Sequence, residues 1–154
     1  MSKNELLYLD LDHGRVTIRL RPDLAPNHVA RIKELVSDGF YNGLIFHRVI
    51  PGFMAQTGCP EGSGYAGSGR KIKAEFTDEP FVRGTVGMAR AMNPDSGDSQ
   101  FFIMFDEGSF LNGQYTVWGE VIDGMNAVDK IAVGEPPAKP DVIKSITLAL
   151  AEAA

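Results

Sequence analysis

Two apolar alternations separated by a tight turn constrain this chain more than any other feature. Leu7, Leu9 and Leu11 alternate with Tyr8, Asp10 and Asp12, and then Val16, Ile18 and Leu20 alternate with Thr17, Arg19 and Arg21. A period of two puts every second side chain on one face of a strand. Asp12-His13-Gly14 between the runs is turn chemistry, so the opening reads as a hairpin with one wet face. The rest of the chain has the punctuation to continue in that style. Seventeen glycines and nine prolines in 154 residues fit many short strands and disfavour an all-helical bundle.

After the hairpin, Pro26 and Asn27 offer N-terminal helix chemistry, and Val29, Ile32, Leu35 and Val36 recur at helical spacing up to a stop at Gly39. Further strands are expected at about 45–50, 53–57, 85–90, 100–105, 116–122 and 142–150, with a second short helix over Gly124 to Val133. Two hairpin strands and six later ones make eight, the number at which a closed barrel is filled by its own side chains and leaves no open edge. The expected fold is therefore mainly β, a closed eight-stranded antiparallel barrel capped by two α-helices. The length suits one domain over residues 1–154. With 44% hydrophobic residues and 23% charged, the chain can bury a core and is not disordered. The glycine-rich 57–84 segment is long for a connection and is expected on the surface, lying over something.

Several function classes drop out. A net charge of -5, with no basic cluster beyond Arg70-Lys71-Ile72-Lys73, argues against nucleic acid. Cys59 is the single cysteine, so there is no internal disulfide and no multi-cysteine zinc site. No apolar stretch approaches the ~18 residues of a membrane span. The chain opens into a strand-like segment, so a cytoplasmic protein without membrane contact is expected. Gly62 to Gly67 matches G-x-G-x-x-G, but no parallel strand precedes it and no helix start follows, which points to a surface loop. His13, His28 and His47 are never at metal-ligand spacing, so no metal is expected. Cys59 with His47 is the only conceivable thiol–imidazole pair, and Asp95 and Asp98 read as turn formers.

One set of residues fits neither a core nor a solvated face. Met54 and Gln56 share a strand face, as do Gln100, Phe102 and Met104, and Arg48 interrupts the apolar run from Leu44 to Ile50. An arginine in such a run must snorkel, pair or reach a ligand. With exposed-looking Phe53, Met54 and Phe102, it suggests an apolar groove with a cationic fork and amides at its rim.

The blocks around these residues are distinctive. Phe46-His-Arg48-Val-Ile-Pro51-Gly-Phe53-Met54-Ala-Gln56-Thr-Gly58, Gly87-Met-Ala89-Arg90, Ser99-Gln100-Phe101-Phe102-Ile103 and Phe110-Leu111-Asn112-Gly113 resemble the signature blocks of the cyclophilin-type peptidyl-prolyl cis-trans isomerases. Order and spacing match from about residue 5 to 150. The resemblance implies an eight-stranded barrel with two helices and a groove on the barrel's outside. It implies an isomerase of Xaa-Pro bonds that assists protein folding, needs no cofactor, and acts as a monomer on proline-containing peptides and unfolded chains.

Carried over by position, the catalytic arginine falls on Arg48, acting with Phe53 and Gln56. The proline pocket falls on Phe53, Met54, Phe102 and Leu111, with Gln56 and Gln100 as polar groups and Ala89-Arg90 as a backbone rail. Arg90, Phe110 and Tyr115 stand where animal members have asparagine, tryptophan and histidine, and resemble bacterial members in this. The tryptophan position bears on cyclosporin A, so Phe110 implies weak binding of that drug. Two other readings stay open from the residues: a module that grips proline peptides without turnover, and a barrel that carries a small apolar ligand inside.

Overall fold

In the computed structural model the opening hairpin forms as its alternation requires. Strands β1 (Asn4–Leu11) and β2 (Gly14–Leu20) pair antiparallel, with Leu7 opposite Ile18 and Leu9 opposite Val16. Leu7, Leu9, Leu11, Val16, Ile18 and Leu20 are all buried, so the alternation has become an inside and an outside. The structure describes residues 4–64 and 66–151. The outermost residues of the expected 1–154 domain and the middle of the 62–67 glycine motif lie outside it.

Helix α1 (Pro26–Ser37) buries His28, Val29, Ile32, Leu35 and Val36. Its own N-cap, Ala25, supplies no side-chain acceptor. The orphan donors of the first turn are met instead by Glu75, from the long loop, whose carboxylate accepts from the Asn27 and His28 N–H groups at 3.2 and 2.8 Å. The same carboxylate lies 2.6 Å from His28 Nδ1. At the other end Gly39 takes φ +70°, and the N–H of Phe40 turns back to the Leu35 carbonyl at 3.0 Å. That left-handed step is the expected stop.

Six further strands follow, close to the expected places: β3 (Arg48–Ile50), β4 (Met54–Thr57), β5 (Thr85–Met88), β6 (Phe101–Met104), β7 (Val117–Asp123) and β8 (Ser145–Ala151). Helix α2 (Met125–Asp129) is a single short piece, and a 3₁₀ turn at Ser109–Leu111 was not expected. All strand pairs are antiparallel, in the order β3-β4-β6-β5-β7-β2-β1-β8.

The expected closure does not occur. The eight strands form an open, curled sheet with β3 and β8 as its edges. The reason lies in what occupies the free side of β3. Val49 exchanges both backbone hydrogen bonds with Gly134, at 2.8 and 2.9 Å, so the segment before Pro136 and Pro137 takes the place that β8 would need. The approaches to the two edges, before β3 and before β8, are joined by an isolated bridge, Ile45 to Val142, and by a bond from the Gly43 N–H to the Ile143 carbonyl at 2.7 Å.

The main core lies inside the curl. There Phe101 makes edge-to-face contacts with Tyr41 at 5.4 Å and Trp118 at 5.3 Å, and the Tyr41 hydroxyl donates to the Ser99 carbonyl at 2.8 Å. A second apolar cluster, Met54, Phe81, Phe102, Met104, Leu111 and Val117, lies on the opposite face of the same strands. No helix among the described residues is long and apolar enough to cross a membrane.

Candidate active site

The outer cluster exists because β4, β5 and β6 are buried on both faces. In β6, Phe101 and Ile103 enter the inner core while Phe102 and Met104 enter the outer one. In β4, Ala55 points in and Met54 points out. A strand buried on both sides loses its polar alternation, which is why Phe101-Phe102-Ile103-Met104 reads as a plain apolar run. Met54 and Phe102, which look exposed in the sequence, are 2% and 5% exposed. They are the floor of a depression, screened by their neighbours.

That depression, about 110 Å³, is lined by Arg48, Phe53, Met54, Gln56, Ala89, Arg90, Phe102, Leu111 and Tyr115. Nine expected site residues, scattered over 68 positions of sequence, thus meet on one surface. Phe81 stacks on Phe102 at 5.8 Å with 21° between the rings, and Tyr115 closes the other side edge-on at 5.8 Å. Gly87 lies beneath: a Cβ there would come within 2.7 Å of both the Phe102 and Phe81 rings. Phe110 stands at the rim, 69% exposed, with its ring 5.5 Å from that of Phe53.

The polar side of the depression is a chain of hydrogen bonds. Arg48 Nε donates to Glu135 at 3.0 Å and its Nη1 to the Gln56 side-chain oxygen at 3.3 Å. Gln56 donates to Gln100 Oε1 at 2.9 Å, and Gln100 Nε2 donates to the Gly64 and Ala66 carbonyls at 3.0 Å each. Arg48 Nη2 has no hydrogen-bond partner among the described residues. Gln100 therefore sits one step away from the apolar floor, in a wider depression of about 390 Å³ that shares Gln56, Ala89 and Arg90 with the first.

Arg90 is a staple. Its guanidinium donates to the Gln114 carbonyl at 2.8 Å and to the Ala91 carbonyl at 2.8 Å, and lies 4.5 Å over the Tyr115 ring. Ala89 donates its N–H to the Gln100 carbonyl at 2.9 Å.

Sequence reasoning missed Glu135 and Phe81. Glu135 has no local signal, because only the Val49–Gly134 pairing brings it to Arg48. The long loop lies over the wider depression, contributing Gly64, Ala66, Gly67 and Lys71. Gly64, Ala66 and Gly67 of the glycine motif thus form a wall, with Gln100 holding the first two. Asp95 lies in the expected turn, closed by the Ser96 N–H on the Asn93 carbonyl at 3.0 Å, and both carboxylates also anchor the long loop: Asp98 accepts from the Ser68 and Gly69 N–H groups at 2.7 and 3.1 Å, and Asp95 from that of Ala74 at 2.9 Å. Cys59 is buried. Burial pushes its thiol up, but N–H groups of Ala66, Gly64 and Glu61 and the Ser63 hydroxyl outweigh this and leave it below its ordinary value.

Comparison with known proteins agrees with this geometry. The family model described as cyclophilin type peptidyl-prolyl cis-trans isomerase/CLD matches residues 6–148. A probable peptidyl-prolyl cis-trans isomerase of Brucella suis is 59% identical over 138 residues, covering 82% of this chain and 70% of the relative. Peptidyl-prolyl cis-trans isomerase B of Bacillus subtilis is 42% identical over 126 residues, 80% of this chain and 87% of its own. Among solved structures, a cyclophilin from Hirschia baltica superposes with a TM-score of 0.85 at 30% identity, over 92% of this chain and 73% of that one. A cyclophilin-type isomerase of Cryptosporidium parvum, determined in the presence of the dipeptide Ala-Pro, gives 0.87 at 28% identity, over 94% and 98%. The chain belongs to the cyclophilin-type peptidyl-prolyl cis-trans isomerases and is a rotamase of prolyl peptide bonds.

Proposed function

We propose that this protein turns Xaa-Pro bonds in peptides and unfolded chains by seating the proline ring on Phe53, Met54, Phe102 and Leu111 while Arg48 stabilises the twisted amide. The observation that carries this reading is the meeting of a guanidinium and an apolar floor in one depression of ring-like size. Isomerisation must break amide resonance, a barrier of about 18–20 kcal/mol. No bond is made or cut, so neither a nucleophile nor a general base is needed. In the twisted state the nitrogen lone pair is no longer delocalised, and nitrogen becomes a better acceptor. A donor fixed beside it binds that state better than the planar one, which is how binding energy becomes rate. Arginine suits the task because its planar fork stays charged across the working range. Gln56 holds one side of that fork, and the Ala89 carbonyl with the Arg90 backbone offers the peptide an edge to pair with. Phe110 at the rim supports the expectation of weak cyclosporin A binding.

Arg48→Ala tests the reading. Arg48 is 44% exposed, so its removal is expected to leave the melting temperature near that of the parent. Turnover of an Ala-Pro-Phe-type peptide is expected to fall about 10²- to 10³-fold, the loss associated with one preorganised donor. Near-normal turnover in the folded variant would end the assigned role.

A further inference from the structure

Arg48 is flanked on both sides by residues that the main chain places opposite it. On one side the β3–β4 register pairs Arg48 with Gln56. On the other, the antiparallel bridge of Val49 to Gly134 brings the next residue, Glu135, alongside the residue before Val49, which is Arg48. The bridge is built to stay. Both of its backbone hydrogen bonds are under 3.0 Å, and Gly134 takes φ +141° at a spot where a Cβ would come within 2.6 Å of Pro137 Cα. A side chain there would force the Pro136–Pro137 backbone to shift, so the corner is fitted to glycine.

We propose that Glu135 is a positioning residue for the isomerase reaction: by accepting from Nε, it fixes the rotation of the Arg48 fork so that the Nη edge faces the peptide. An arginine in the open has several rotamers of similar energy, and a donor that stabilises a transition state is effective only in a narrow range of angles. Gln56 alone leaves the fork free to swing about its 3.3 Å contact. Glu135, at 3.0 Å on Nε, adds the second point that defines a plane. The inference rests on Arg48 as the group that stabilises the twisted amide.

The test uses four variants of the full chain and one peptide assay. Glu135→Ala is expected to lower kcat about 3- to 10-fold, the scale of a partly exposed charged hydrogen bond, with KM little changed. Glu135→Gln keeps an acceptor oxygen at the same reach and is expected to restore kcat to within about 2-fold of the parent. In the Arg48→Ala background, adding Glu135→Ala is expected to change nothing further, because the positioned group is gone. Unchanged kcat in Glu135→Ala overturns the proposal. So does equal loss in Glu135→Ala and Glu135→Gln, which would mean that the charge or the loop matters and the acceptor does not. A further fall in the double variant would overturn it as well. Arg48→Ala alone separates the two layers. If it remains active, the role of Arg48 fails; if it is inactive while Glu135→Ala is normal, only the role of Glu135 fails.

Discussion

The inner and outer faces of β4, β5 and β6 are made by neighbouring residues of the same strands, yet they do different work. Inside the curl, Phe101 is locked edge-on between Tyr41 and Trp118. Outside, Phe102 rests on Phe81, touches Tyr115, and offers part of its surface to the depression. Both rings are almost fully buried, so exposure does not separate them. What separates them is whether the packing is closed by the protein or left for a ligand to complete. Alternation along one strand is enough to set a residue of the inner core beside one of the proposed binding floor.

The largest test of that difference is Phe101→Ala. Removing a locked ring is expected to cost about 3–5 kcal/mol, a large share of the roughly 5–15 kcal/mol available to a domain. Urea denaturation should show the midpoint falling, while turnover per folded molecule stays close to the parent. A comparable fall in turnover of the folded fraction would show that the two faces are not separable.

Gly87→Ala attacks the outer face from beneath. The new methyl meets the ends of the Phe81 and Phe102 rings at 2.7 Å, and overpacking of this kind is expected to cost about 1–3 kcal/mol. Because the rings that give way form the floor, peptide turnover should fall, and trimming Phe81 to Leu in the same chain should recover part of it. Full activity in Gly87→Ala would show that the floor tolerates displacement.

Phe110→Trp sharpens the outer boundary. Phenylalanine offers no donor, whereas an indole N–H can hydrogen-bond cyclosporin A. Calorimetry should show weak binding by the parent and a gain of about one order of magnitude in the variant, with peptide turnover little changed. Tight binding by the parent, or no gain, would move the determinant to Tyr115 or Arg90.

Acidification is expected to have the smallest effect and to act on stability. Burial pushes His28 below its ordinary value of 6.5, against the raising influence of Glu75, and burial likewise lowers His47, against Gln100 and aided by the Arg48 charge. In that window the unfolded chain takes up protons that the native imidazoles refuse, so stability falls as pH drops through about 6.5. The lowered carboxylates Asp10, Asp23 and Asp129, each held down chiefly by an arginine partner, act only below their ordinary 3.8. The denaturation midpoint should therefore decrease between pH 7.5 and 5.5, and His28→Gln should flatten part of the slope. A midpoint that rises on acidification would show that the histidines are charged in the native state.

Local patterns were legible from the sequence and remote pairings were not. The hairpin, α1 with its Gly39 stop, and the placement of the later strands follow from periodicity and turn chemistry, which are properties of a few adjacent residues. The residues that line the depression were legible through the spacing of Arg48, Phe53, Met54 and Gln56 and through the family resemblance. Closure of the barrel was misjudged because it depends on which segment reaches β3 first, and Gly134, 85 positions from Val49, carries no mark of that. Glu135 was invisible for the same reason. Glu75 escaped notice as the cap of α1 because a carboxylate 48 positions from Asn27 is not read as belonging to that helix.

The groove lies on the outer face of the sheet, with its floor beneath an open rim. A site buried inside a barrel would admit only a free end or a small molecule, because a long chain would have to be threaded. If the proposed site is the working one, a proline in the middle of a polypeptide can settle sideways, rotate and lift away with both flanking arms still attached to whatever they belong to. Encounter and release then need no gate in the enzyme, and the length of the substrate sets no limit on which of its prolines is served.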